Sequence, residues 1–98
     1  MRLFPVPVTL NTKDIERNWE TRGYSFGVWI DPPGQVWENY SHDVDELFMI
    51  LEGRVELEIG GHRVNPKVGE EIFIPAGALH TVRNTFDGES TWLYGYKH

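Results

Sequence analysis

The sequence predicts an all-β fold, a small closed barrel or double-sheet jelly roll, and three observations lead there. Outside one short segment, apolar residues recur with period two or in brief runs. Turn residues punctuate those runs every eight to twelve positions. At 98 residues the chain has room for one core, and a β chain this short must dispose of its sheet edges by closing a barrel or stacking two sheets. Either solution leaves a cavity at one end.

The elements follow in order. Thr12 to Glu20 departs from the β rhythm: Thr12 is placed to cap, Asp14 and Glu16 fall in the first turn, and Ile15 and Trp19 stand four apart on one face. This predicts one or two helical turns. Tyr24 to Ile30 reads as a strand stopped by Asp31-Pro32-Pro33-Gly34, because proline removes a ladder donor and glycine tolerates the turn. Val36 to Ser41 resumes the extended chain. Glu46 to Leu51 is apolar on both faces after its first residue, with Phe48 and Ile50 on one side and Leu47, Met49 and Leu51 on the other. Such a strand is covered twice. Arg54 to Ile59 alternates, with Val55, Leu57 and Ile59 inward, and Gly60-Gly61 closes a hairpin. Glu71 to Ile74, Thr81 to Asn84 and Thr91 to Tyr96 complete a set of about eight strands.

Composition narrows the function classes. Hydrophobic residues make up 40% and charged residues 24%, the ordinary globular mixture, which argues against disordered, coiled-coil and collagen-like classes. The net charge of −6, from 15 acidic and 9 basic residues, disfavours nucleic acid and anionic membranes, since phosphate binding draws on clustered Lys and Arg. There is no cysteine, so neither disulfides nor thiolate ligands brace the domain. Residues Met1 to Pro7 hold two prolines and no long apolar run, which reads as neither leader nor membrane span, and a cytoplasmic location is expected.

Four histidines are present. His98 is terminal and His62 lies in a turn beside Gly60-Gly61, where a solvated imidazole is expected. His42 precedes Glu46 by four, and the strand alternation beginning at Glu46 lets both side chains face the cavity with Phe48 and Ile50. His80 follows the Pro75-Ala76-Gly77-Ala78-Leu79 turn and starts the next strand, with Val82 and Asn84 on its face. Neutral imidazole and carboxylate are competent ligands for a divalent metal. By spacing alone, a His and a Glu four apart are more often a surface pair than two ligands. Asp43 and Asp45, at a strand entry, read as solvated.

These residues carry a resemblance. His42-Asp43-Val44-Asp45-Glu46, then six residues to Gly53, resembles the first motif of the cupins, H-x-H-x(3,4)-E-x(6)-G. Gly69, five residues, Pro75-Ala76-Gly77, two residues, His80, three residues and Asn84 matches the second, G-x(5)-P-x-G-x(2)-H-x(3)-N, at every defined position. The resemblance implies one cupin domain over residues 1–98, with the first motif at about 40–53 and the second at about 69–84. It implies a small double-stranded β-helix barrel with a divalent metal at its mouth, held by His42, Glu46 and His80; Fe, Mn, Ni and Zn all suit two His and one carboxylate. The family's first histidine falls on Tyr40, which stands as a possible fourth ligand or, since phenols ionise near ~10, as a pocket wall or hydrogen-bond donor. The motif glycines and Pro75 are read as turn formers.

Aromatic residues gather on the predicted strands. Trp29, Phe48 and Trp92 are expected to line a pocket entered near Tyr40 and His80, suited to a sugar-derived or carboxylate-bearing molecule. Trp37 lies an odd number of residues before Tyr40, so a regular strand would turn the two to opposite faces, whereas Glu38 would share the face of Tyr40. Two functions compete: a metal-dependent isomerase, lyase or dioxygenase of the cupin type, and a non-catalytic small-molecule-binding module whose metal is structural, a Lewis-acid anchor or absent. The apolar face formed by Leu47, Met49 and Leu51 predicts a homodimer, because few other elements are available to cover it.

Overall fold

A computed structural model describes residues 11–98. The reading of Met1 to Pro7 lies outside the described residues. Among those described, no helix is long and apolar enough to cross a membrane.

Among the described residues, one helix precedes eight strands. Helix α1 spans Thr12–Thr21, and its cap is Asn11, one residue earlier than the sequence suggests: the Asn11 Oδ1 accepts from the backbone N–H groups of Lys13 and Asp14 at 3.1 and 3.2 Å. The strands are β1 Gly27–Asp31, β2 Val36–Tyr40, β3 Glu46–Glu52, β4 Val55–Ile59, β5 His62–Val64, β6 Ile72–Ile74, β7 His80–Asn84 and β8 Ser90–Tyr96. They form two antiparallel four-stranded sheets, β1-β8-β3-β6 and β2-β7-β4-β5, that face each other as a small jelly-roll barrel. β1 begins three residues later than predicted, Tyr24 making only an isolated bridge to Lys97. His62 opens β5 and remains exposed.

The core lies between the sheets. Phe48, Ile50 and Ile74 of the first sheet meet Val55, Leu57 and Val82 of the second, with Trp92 among them. Burying this set supplies the main driving force for closure. At the far end from the mouth, Asn84 is buried and ties the β1–β2 connection to the β7–β8 one: its Nδ2 donates to the carbonyls of Asp31, Pro32 and Gly88, and its Oδ1 accepts from Phe86 N and Ser90 Oγ. Gly53, at φ 94°, leaves the space a Cβ would take from Ser90.

The outer face of β3 corrects the argument for a dimer. Leu47 and Met49 are buried within the single chain, against Trp19 and Ile15 of α1 and against Tyr24 and Leu93. The one helical segment covers the apolar face that was expected to need a second copy. It is fastened there by Glu71, which accepts from Trp19 Nε1 at 3.0 Å and pairs with Arg22 through two hydrogen bonds of 2.8 and 2.9 Å.

Candidate functional site

Three strand or loop positions converge at one end of the barrel. Glu46 is the first residue of β3, facing inward between Ile74 of β6 and Tyr96 of β8. His80 is the first residue of β7. His42 sits in the loop before β3, where its carbonyl accepts from Gly77 N at 2.8 Å, so the turn between β6 and β7 is tied to the loop that carries His42. Asp45, expected to be solvated, instead anchors the same turn, its Oδ1 accepting from Ala76 N at 2.8 Å.

His42 Nε2 lies 3.5 Å and His80 Nε2 3.7 Å from the same oxygen, Glu46 Oε1, and the donor atoms of the three residues all fall within 4.8 Å of one another. Two ligands each ~2.1 Å from one ion stand roughly 3 to 4 Å apart, so the spacing fits a shared cation. His80 Nδ1 faces the Ala78 carbonyl at 3.3 Å. In the tautomer that donates this bond, the Nε2 lone pair points at the site.

The electrostatics agree with the geometry. Burial pushes the Glu46 carboxyl up to about 7. Its Oε1 is buried with no hydrogen-bond partner among the described residues, which is costly for a carboxylate unless a cation or a proton compensates it. His80 is held below the ordinary histidine value, first by burial and further by His42, with the Ala78 carbonyl opposing. Burial thus favours the neutral imidazole, the form that coordinates.

Beside the three donors opens a cavity of about 270 Å³. Trp29, Trp37, Tyr40 and Trp92 wall it, and Tyr94 and Tyr96 continue the wall toward the donors. Phe48, expected in the lining, lies 1% exposed beneath Trp92 with ring centroids 5.5 Å apart, so it supports the floor. Gly27 makes room here: a Cβ would run into the Tyr94 ring. Tyr40 is 45% exposed at the mouth and is the cross-strand partner of His80.

Trp37 and Tyr40 do not face opposite ways. The register of β2 against β7 shifts between them, Asn39 takes φ 55°, and both rings line the cavity with centroids 6.1 Å apart. Glu38 is exposed and does not line it.

Three contributions were missed. Tyr96 packs edge-on to His42 at 4.8 Å, and burial, then Glu46 and Tyr94, push its phenol up to about 12, so it stays a proton donor. The period-two set Trp92, Tyr94, Tyr96 could have revealed it. Asp31, read as a turn residue, is 1% exposed, and its Oδ1 accepts from the indole N–H groups of Trp29 and Trp37 at 3.0 and 3.1 Å. Trp37 itself was hidden by the bulge.

Residues 27–96 match the family described as Cupin domain, Cupin_2. An uncharacterised protein of Aquifex aeolicus (strain VF5) is 40% identical over 47 residues, 48% of this chain and 39% of the relative; the chain thus spans about two fifths of the length of that curated relative. Among solved structures, the DMSP lyase DddQ of Ruegeria pomeroyi DSS-3 superimposes with a TM-score of 0.69 at 26% identity, over 78% of this chain and 39% of that one. An oxalate oxidase in complex with the substrate analogue glycolate superimposes with a TM-score of 0.70 at 22% identity, over 79% of this chain and 43% of that one.

Proposed function

Since the chain belongs to the Cupin_2 family of cupin domains, we propose that it holds one divalent metal ion through His42, Glu46 and His80 and binds a small molecule in the adjoining aromatic cavity. The observation that carries this reading is the buried, unpartnered Glu46 Oε1 facing two imidazole Nε2 atoms at 3.5 and 3.7 Å. Three protein ligands leave coordination positions for a ligand atom, and a bound ion would supply Lewis acidity there. The chain's own part is to orient the ligand against Trp29, Trp37 and Trp92 and to keep a protonated phenol, Tyr96, beside His42. A metal-dependent reaction is compatible with that arrangement, and the solved relatives include both a lyase and an oxidase.

Titration of chelator-stripped protein with Mn(II), Fe(II), Ni(II) and Zn(II) tests the proposal. One ion per chain is expected for at least one of them, with His42→Ala and His80→Ala each weakening it by at least about tenfold, because two protein ligands then remain. Tyr40 in place of the family's first histidine favours a second reading, a metal-free binding pocket. Absence of binding by all four ions would establish that one. Pairing of two copies also belongs to this proposal, now through the exposed outer residues of edge strand β1, Val28 and Ile30, rather than through β3.

A further inference from the structure

We propose that the aromatic end of the cavity is a cage for a methylated organic cation, a trimethylammonium-type headgroup, with Asp31 supplying the negative charge behind it. The inference rests on the reading of the cavity as a ligand site and names the class of ligand it takes. Trp29 and Trp37 meet nearly at right angles, 79° with centroids 5.9 Å apart, and Trp37 and Tyr40 at 59° and 6.1 Å, so three rings border one space. Aromatic faces attract a cation lying within about 6 Å of the ring centroid. Among the described residues, no Lys or Arg lines the cavity.

Asp31 adds a fixed charge to this wall. Its side chain is 1% exposed, its Oδ1 takes both indole N–H groups, its Oδ2 has no hydrogen-bond partner, and it has no salt bridge among the described residues. A buried carboxylate without a cation is costly, and two indoles donating to it become more electron-rich. Both features favour a cation on the cavity side of the rings.

The hydrogen-bond inventory selects the kind of cation. A primary ammonium brings three N–H donors that need acceptors. Apart from the Tyr40 hydroxyl the cage offers aromatic rings, and the indole N–H groups of Trp29 and Trp37 are already engaged on Asp31, so a headgroup with no donors leaves none of its own unsatisfied. The same inventory disfavours a sugar or a carboxylate at this end: a sugar would find only the Tyr40 hydroxyl for its several hydroxyls, and a carboxylate would meet Asp31 with no basic residue among those described to offset it. A ligand carrying an oxygen donor could still place it at the His42, Glu46 and His80 end.

Choline and its neutral carbon isostere, 3,3-dimethylbutan-1-ol, share a shape and a hydroxyl and differ in charge. Isothermal titration of the full chain, with and without Mn(II), should show choline binding at least about tenfold tighter than the isostere. Trp37→Leu should weaken choline by about tenfold while leaving Mn(II) binding unchanged. Asp31→Asn keeps an acceptor for the indoles and removes the charge, so choline should weaken severalfold and the isostere should not. His80→Ala should weaken Mn(II) by at least about tenfold and leave choline binding measured without metal within about twofold, which separates failure of the metal reading from failure of this one. Equal binding of choline and its isostere to the unaltered protein would overturn the proposal, whether or not the Asp31 variant folds.

Discussion

Asn39 shows how a single backbone angle shapes the pocket. At φ 55° it lies in the left-handed region, which asparagine tolerates better than most residues, and its N–H donates to Thr81 Oγ1 at 3.1 Å. The bulge it creates turns Tyr40 inward beside Trp37. Asn39→Gly should change stability by less than about 0.5 kcal/mol, whereas Asn39→Val, β-branched and forced to positive φ, should cost about 1 to 3 kcal/mol in urea denaturation. Tyr40→His then tests the neighbouring position. Tyr40 pairs across the strands with His80, so an imidazole there should reach the ion proposed at His42, Glu46 and His80 and raise metal affinity by about tenfold, ~1.4 kcal/mol. Metal titration showing no gain would leave Tyr40 as a wall of the cavity only.

Helix α1 acts as the lid of the second core. Trp19 is 1% exposed between Leu47, Met49 and Leu93, so Trp19→Ala should cost about 3 to 5 kcal/mol. The clasp beside it is pH-dependent. Hydrogen bonding from Arg22 is the main cause holding Glu71 below the ordinary carboxylate value of 4.5. A depressed carboxylate contributes stability above its unfolded value, and that contribution is lost as pH falls through the folded one. The two side chains are 41% and 32% exposed, so solvent screening limits the pair to about 1 kcal/mol. Stability difference curves between the parent and Glu71→Gln should therefore converge as pH falls from 6 toward ~3. A gap that stays constant over that range would assign the clasp's contribution to the neutral bond with Trp19.

At the scale of the whole molecule, metal and fold are linked. A ligand bound only by the native state at a hundred times its Kd stabilises by about 2.7 kcal/mol, so the proposed ion should raise Tm. Protons compete for the same atoms: Glu46, pushed up to about 7, must lose its proton, and the imidazoles must be neutral. The thermal shift from added metal should be full near pH 8 and fade toward pH ~5, and a shift unchanged across that range would point to other ligands. The proposed pairing of copies is testable in the same samples. Val28 and Ile30 are 51% and 60% exposed on the outer face of an edge strand. Light scattering should give twice the chain mass of 11.4 kDa, and Ile30→Lys should return it to the single-chain value. A parent protein already at 11.4 kDa would remove the dimer.

Some of this was legible in the chain alone, because the relevant physics is local. Alternation at Val55, Leu57 and Ile59, the two-faced apolar run at Leu47 to Leu51 and the Gly60-Gly61 turn each encode a strand or a hairpin within a few residues, and together they determine an all-β barrel. The spacing from His42 to Glu46 and from Gly69 to His80 marks the donors in order along the chain. Only the tertiary structure brings their atoms within 4.8 Å, since it depends on Gly77 bonding back to His42 across the barrel mouth. The same holds for what local patterns misread. The bulge at Asn39 needs Thr81 from another strand, Asp31 is buried because indoles on two different strands donate to it, and β3's outer face is covered because Glu71 fastens a helix from the far end of the sequence. The Asn39 and Glu71 contacts join residues distant in sequence, and the Asp31 contacts need the turn that sets β2 beside β1; periodicity, which reports only the faces of one element, carries no information about which partner arrives.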